Sequence, residues 1–282
     1  MTNKNDEQSI PLFAGLRDKN YAALGLMVLE GRILIEKAID SGIKLRSLLC
    51  VPADEDAWLE LSRTLAEKGG RPADMAFSVK AMARPKIAEL MGYAFHRGSI
   101  ALAERPSAAE ALPDGHALVL WNVTDPDNLG ALIRSAAALG ARKLYFGPGC
   151  ADPFSRKALR ASMGCTLSLP FIQVAGIDDL GIVKSAGNMS VAAALVEGAI
   201  TPHDLKNHMK HSGQYKHISL ILGNEGWGLP AEVCEAADFI VSLPMSNRVD
   251  SLNVAAAGAI LMWELYQGNS GSLKKKVYFP KD

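Results

Sequence analysis

From residue 116 onward, short apolar runs alternate with stretches of helical spacing. The runs cover 117–123, 143–146, 167–174, 190–196, 218–222 and 239–243. Nearly unbroken apolar runs of this length fit strands buried on both faces, the condition of a parallel sheet. The segments between and after them, near 129–139, 155–163, 178–186, 202–209, 230–236 and 252–266, predict helices. This alternation predicts an α/β domain whose parallel sheet carries helices on both faces. In such sheets ligands bind at the C-terminal ends of the strands.

The N-terminal part predicts a second, smaller α/β layer. Ile33, Ile35, Ala38 and Ile39 give a helix over 29–41, with Gly42 as its stop. A strand follows over 45–51, then a helix over 56–68 ended by Gly69-Gly70. A strand over 75–79, a helix over 85–91 and a strand over 99–103 complete it. Two prolines, a glycine and small residues mark 106–116 as a linker. The expected division is an extension at 1–20, a small domain at 21–105, the linker, a larger domain at 117–270 and a tail at 271–282. There is no internal repeat.

With 49% hydrophobic and 21% charged residues, disorder is excluded as the general state. The polar N-terminal stretch does not read as a signal peptide, and no apolar run reaches the ~20 residues of a membrane span. A cytoplasmic protein is expected. Cys50, Cys150, Cys165 and Cys234 form no C-x-x-C pair and read as buried free thiols. His203, His208 and His211 share one polar segment that reads as a solvated helix, so no metal is expected. Lys+Arg and Asp+Glu number 30 each. Contact with phosphate would therefore rest on local clusters. One comprises Lys80, Arg84, Lys86, Arg97 and Arg105 against Glu89 and Glu104; another comprises Lys274, Lys275, Lys276 and Lys281 beside Asp282. Each by itself reads as a solvated face.

Three blocks place polar residues and glycine at strand-to-helix corners: residues 122–134, 223–229 and 243–253. In the first, Asp127 or Asn128 can cap the following helix. That helix turns Leu129, Leu132, Ile133, Ala136 and Leu139 to one face and Arg134 to the other. The Asp125-x-Asp127 spacing suits a calcium loop, but Pro126, Leu129 and the lack of a Glu at the loop's last position exclude one. In the second block, Gly223, Gly226 and Gly228 run G-x-x-G-x-G, the reverse of a dinucleotide fingerprint, and no G-K-[ST] follows. Glu225 lies inside this turn and serves either a ligand or the turn itself. Trp227 either stacks on a base or packs in the core, with packing preferred. In the third block, Ser251 or Asp250 is the expected N-cap, and Asn253 calls for a polar partner because it is a poor helix former. The small-sided helix after it should pack closely on another backbone or subunit.

In order and spacing, these blocks resemble the SpoU (TrmH) branch of the SPOUT methyltransferases over about residues 117–267. A weaker resemblance, in Leu29-Glu-Gly-Arg-Ile-Leu-Ile-Glu36 and Phe95-His-Arg-Gly-Ser-Ile-Ala-Leu102, is to the small RNA-binding domain that often precedes the catalytic one. The resemblance implies a trefoil-knotted parallel sheet, S-adenosylmethionine as methyl donor, a ribose 2′-hydroxyl of rRNA or tRNA as acceptor, and a homodimer. Threading of this kind is not readable from pattern. Carried over by position, Asn128 and Arg134 match the first motif, Glu225 the second, and Ser251 and Asn253 the third. Gly223, Leu243 and Leu252 match positions whose main chain lies along the cofactor. Arg134 would activate the ribose hydroxyl. Guanidinium stays protonated, so it either acts as base or orients a phosphate that takes the proton. Asn247-Arg248 departs from the family, which commonly has glycine nearby; Asn tolerates left-handed geometry, and Arg248 is available to RNA. The rival readings are a non-catalytic RNA-binding homologue, a nucleotide-dependent oxidoreductase and a SPOUT enzyme that methylates a base.

Overall fold

The computed structural model describes residues 13, 17–67, 76–185, 187–212, 216–246 and 251–266. The Gly69-Gly70 stop, Asn247, Arg248, Asp250 and the C-terminal lysines lie outside them. The chain forms two compact units. The first takes the described residues up to Ala111 together with Val123–Arg134 and Gly149–Phe171. The second takes Leu112–Asn122, Ser135–Pro148 and the described residues from Ile172 onward.

In the first unit, α1 (Asp18–Ala23) leads into β1 (Leu26–Glu30), α2 (Arg32–Asp40) and β2 (Leu45–Cys50). α3 (Glu55–Glu67), β3 (Ser78–Ala81), α4 (Arg84–Met91) and β4 (Ser99–Glu104) follow. β4 lies between β1 and β2 and runs antiparallel to both, while β3 runs parallel to β2 at the edge. The expected helix over 29–41 is corrected at its start. Leu29 and Glu30 end a strand, Leu29 pairs with Ala101, and Gly31 turns the chain at φ +92° into α2. The buried stripe of α2 is Leu34, Ile35, Ala38 and Ile39. Ile33, expected on that stripe, is 61% exposed. Tyr21, Val28, Leu49, Ile87, Met91, Ile100 and Leu102 close the core of this layer.

This unit also holds the start of α5 (Pro126–Leu139) and all of α6 (Arg156–Ala161). The two backbones touch at Gly130, where a Cβ would stand 2.5 Å from the Ala158 carbonyl oxygen. Arg105 forks onto the Asp152 carboxylate, with Nη1 to Oδ2 at 2.9 Å. Arg156 donates through Nε to Asp18 Oδ1 at 2.7 Å.

The second unit is built on a six-stranded sheet. β5 (Ala117–Leu120), β6 (Lys143–Phe146), β7 (Phe171–Gln173), β8 (Asn188–Ala193), β9 (His217–Leu222) and β10 (Phe239–Val241) stand in the order β10-β8-β9-β5-β6-β7. The pairs β10/β8, β8/β9, β9/β5 and β5/β6 are parallel. α7 (Leu180–Ser185), α8 (Pro202–Ser212), α9 (Ala231–Ala236) and α10 (Val254–Tyr266) complete the alternation. The strand expected over 167–174 shrinks to β7, because Pro170 lacks an N–H and the chain before it makes a 3-10 turn, Cys165–Leu167. At the N-terminal edge of β5, His116 stacks on Tyr266 with centroids 4.5 Å apart and accepts the Ile218 N–H at 3.0 Å. The Tyr266 hydroxyl donates to the Ala117 carbonyl at 2.7 Å. Burial, then the charge of His217, pushes the His116 imidazole down to about 4.

Candidate functional site

At the C-terminal edge of the parallel strands, the chain after β8, β9 and β10 turns outward and meets the start of α10. These segments enclose a cavity of about 430 Å³. Its wall takes Gly223 and Glu225 from the second block and Leu243, Ser251 and Leu252 from the third. Five of the residues picked out from the sequence thus share one cavity. The remaining wall is mainly small or apolar, with Ala193, Leu222, Val241, Ala257 and Leu261 prominent. The segment Ala193–Val196 was not anticipated as wall, because an apolar strand end carries no polar signal in the sequence.

The glycine turn owes its shape to a residue that the sequence reading left without a role. Asn224 is buried, and its Oδ1 accepts the N–H of Gly226 at 2.8 Å and of Trp227 at 3.3 Å. Its Nδ2 donates to the Asn122 carbonyl at 2.9 Å, fastening the turn to the end of β5. Asn122 itself stands at φ +54°, a left-handed conformation that Asn adopts more readily than most residues. The usable signal was an Asn flanked by glycine at a strand end, where its side chain closes an Asx turn. Asn224 and Gly228 also exchange main-chain hydrogen bonds at 2.9 and 3.0 Å. Gly223 must be glycine for this closure, since a Cβ there would lie 2.5 Å from the Gly228 carbonyl.

Trp227 sits at the tip of this fastened turn and is 82% exposed. The expected packing of Trp227 in the core is therefore corrected: hydrogen bonds of Asn224 hold its backbone, and its ring faces solvent.

Asn253 is the N-cap of α10. Its Oδ1 accepts the N–H of Ala255 at 2.9 Å and of Ala256 at 3.3 Å. This corrects the expectation of Ser251 as cap and frees Ser251 to line the cavity. The cap of α5 is corrected too. Asp125, rather than Asp127 or Asn128, accepts the Asp127 N–H at 2.8 Å through Oδ1, and that bond, with Lys157 nearby, holds its carboxyl below the usual range. Lys157 bridges Asp125 and Asp127 at 3.5 and 3.1 Å. Leu129, Leu132, Ile133 and Ala136 are buried, Asn128 is half-buried and Arg134 is exposed on the opposite face of α5. Asn128 and Arg134 belong to the first unit, and the cavity residues to the second.

Elsewhere, Cys50 and Cys234 are buried, whereas Cys150 and Cys165 are half-buried rather than fully enclosed. His208 packs its ring against Phe239, and His211 faces the Asn207 carbonyl within its own helix. Among the described residues no helix is long and apolar enough to cross a membrane.

A cavity bordered by a glycine turn, with small apolar walls and main-chain polar groups, suits a flat heterocycle joined to a short polar chain. S-adenosylmethionine fits that description, and Glu225 and Ser251 stand in the same wall. The SpoU rRNA Methylase family model matches residues 115–263. An uncharacterized tRNA/rRNA methyltransferase of Mycobacterium bovis is 36% identical over 186 residues, or 63% of this chain and 62% of the relative. The chain thus spans less than two thirds of that relative's length. The 23S rRNA (guanosine(2553)-2′-O)-methyltransferase of Bacillus subtilis is 35% identical over 151 residues, 52% of this chain and 56% of the relative. The crystal structure of the methyltransferase AviRb from Streptomyces viridochromogenes, in complex with the cofactor AdoMet, superposes with a TM-score of 0.71. It is 25% identical and covers 94% of this chain and 97% of the other.

Proposed function

The chain belongs to the SpoU rRNA methylase family, and from that premise we propose that it transfers a methyl group from S-adenosylmethionine to a ribose 2′-hydroxyl of rRNA or tRNA in the cytoplasm. The observation that carries this reading is the meeting of Gly223, Glu225, Leu243, Ser251 and Leu252 in one cavity. These residues come from two chain segments, 223–225 and 243–252, that are about twenty residues apart in sequence.

S-adenosylmethionine, when bound, supplies the electrophilic methyl group. The chain's own part is to hold and orient. The main chain at Gly223, Leu243 and Leu252 holds the adenosine portion, and apolar neighbours exclude water. Glu225 and Ser251 orient polar groups of donor or acceptor. Asn253 secures the start of α10, on which part of that wall depends. Much of the rate enhancement comes from placing a weak nucleophile in line, because orientation alone is worth several kcal/mol (about 7–11 in well-aligned cases). Arg134 engages the ribose. Since guanidinium remains protonated, it orients a phosphate that accepts the hydroxyl proton rather than taking the proton itself.

In this reading the chain around 223–229 and the described residues 243–246 and 251–253 belong to the trefoil knot of the family, supported by the insertion of β9 between β5 and β8. Residues 21–105 bind RNA. The protein is a homodimer, supported by α10: apart from Glu264 this helix carries only apolar and small residues and Tyr266, yet Ile260 and Trp263 are 44% and 54% exposed.

The test is transfer of labelled methyl to total unmodified RNA, with nucleoside analysis of the product. A 2′-O-methylated nucleoside is expected. Arg134→Ala should lower transfer at least a hundredfold while leaving S-adenosylmethionine affinity within twofold. A methylated base would replace the ribose reading, and cofactor binding without transfer to any RNA would favour a non-catalytic role.

A further inference from the structure

The two N-terminal segments that resemble an RNA-binding domain meet around a second cavity, wholly within the first unit. Gly31 donates its N–H to the Ser99 carbonyl at 2.8 Å. Its positive φ and missing side chain let Arg97 lie across it, since a Cβ would stand only 3.3 Å from Arg97 Cδ. The cavity measures about 260 Å³, and Arg32, Arg97 and Arg160 all stand in its wall beside Ile33 and Met163.

The charges here are not arranged to cancel. Glu30 is the carboxylate of the wall, and it is buried. One of its oxygens takes the Tyr93 hydroxyl and the other takes Arg160 Nη1 at 3.2 Å. Its charge is thus matched from within the fold. Arg32 and Arg97 remain exposed toward solvent. Arg32 also meets Glu36 at 2.7 Å, but both side chains are well exposed, and such a pair exchanges at little cost.

Ile33 and Met163 give the cavity an apolar lip, 61% and 41% exposed. Met163 stands at φ +50°, a conformation that costs free energy in a non-glycine residue, and Lys37 Nζ donates to its carbonyl. Two arginines in the wall of a cavity with an exposed apolar lip match one chemistry well: phosphate oxygens on the guanidinium groups and the face of a base on the lip.

We propose that this cavity holds an anchoring nucleotide of the RNA substrate, its phosphate on Arg32 and Arg97 and its base against Ile33 and Met163. This rests on the RNA methyltransferase reading above and adds to it a specific place of contact. It also accounts for how a chain of zero formal net charge gains electrostatic affinity for RNA.

The experiment uses the full chain and a fluorescein-labelled single-stranded RNA 20-mer of mixed sequence, with an abasic 20-mer carrying the same phosphates. Affinity is read by anisotropy over a salt series. The Arg32→Ala/Arg97→Ala variant should bind the 20-mer at least tenfold more weakly at low salt. Its log–log salt slope should be shallower by about 1.4, the value for two phosphate contacts on a single strand. Ile33→Ser should weaken binding to the 20-mer while leaving the abasic strand unchanged. S-adenosylmethionine affinity and the thermal midpoint should stay as in the native chain, which excludes misfolding. An unchanged slope in the double variant overturns the proposal. So does an equal loss in Lys210→Ala, an exposed cation on α8 that would then report general attraction. Methyl transfer by the native chain to total RNA is scored separately. Transfer with unchanged binding in the variants refutes the anchoring site alone, whereas absence of transfer refutes the enzymatic reading.

Discussion

At the scale of single residues, the glycine turn of the site is held by Asn224. One side chain closes the turn 224–228 and ties it to β5, using both its oxygen and its nitrogen. Asn224→Ala removes the hydrogen bonds to the Gly226 and Trp227 N–H groups and to the Asn122 carbonyl, each worth about 0.5–1.5 kcal/mol net. The expected outcome is a lower urea midpoint together with a loss of S-adenosylmethionine affinity of tenfold or more by calorimetry. A stability loss with unchanged affinity would separate the turn from the binding surface. Which polar residue does what was only partly legible in the sequence. The resemblance to the family grouped Glu225, Ser251 and Asn253, but neither it nor the residue types told that Asn253 caps α10 while Ser251 lines the cavity. Several good caps crowd each corner, and the choice among them depends on where the helix axis lies. The same holds for Asp125 against Asp127 and Asn128. Trp227 was misread because a large aromatic between glycines reads as core by composition, whereas its place is set by hydrogen bonds of a neighbour.

At the scale of elements, the second unit was legible because burial on both faces leaves unmistakable apolar runs. The first unit was less so. The run through Leu26–Glu30 flows into Arg32–Asp40 with helical spacing, and only the backbone geometry of Gly31 separates strand from helix. Contact between helices left a different mark. Gly130 lets α5 and α6 touch backbone to backbone, with Ala158, Ala161 and Ser162 all within 2.9 Å of where a Cβ would stand. Gly130→Ala must push the helices apart, and overpacking of this kind typically costs about 1–3 kcal/mol. The urea midpoint of this variant should fall accordingly, and a midpoint equal to that of the native chain would show that the two helices are free to separate.

At the scale of the whole molecule, the strand order β10-β8-β9-β5-β6-β7 was not legible, because its central pairing joins segments far apart in sequence. That pairing is sealed at one end by His116, Ile218 and Tyr266 and has a pH signature. The buried His116 imidazole titrates at about 4 rather than 6.5, so between these values the unfolded chain binds more protons than the folded one. Its contribution to stability is therefore fully present above about pH 6.5 and is lost as pH falls toward about 4. Urea midpoints followed across this window should drop in the native chain and drop less in His116→Gln; parallel curves would assign the acid loss to other groups. The same pairing has a consequence during synthesis. β5 takes β9 as its neighbour, yet Leu120 and Leu222 are separated by roughly one hundred residues, so a ribosome adding about 5–20 residues per second needs on the order of 5–20 s to supply the missing strand. Throughout that interval the middle of the future sheet is an open apolar edge. A growing chain that stalls before residue 217 should be sticky, dependent on chaperones and quickly degraded, although every residue of its first unit has already been made.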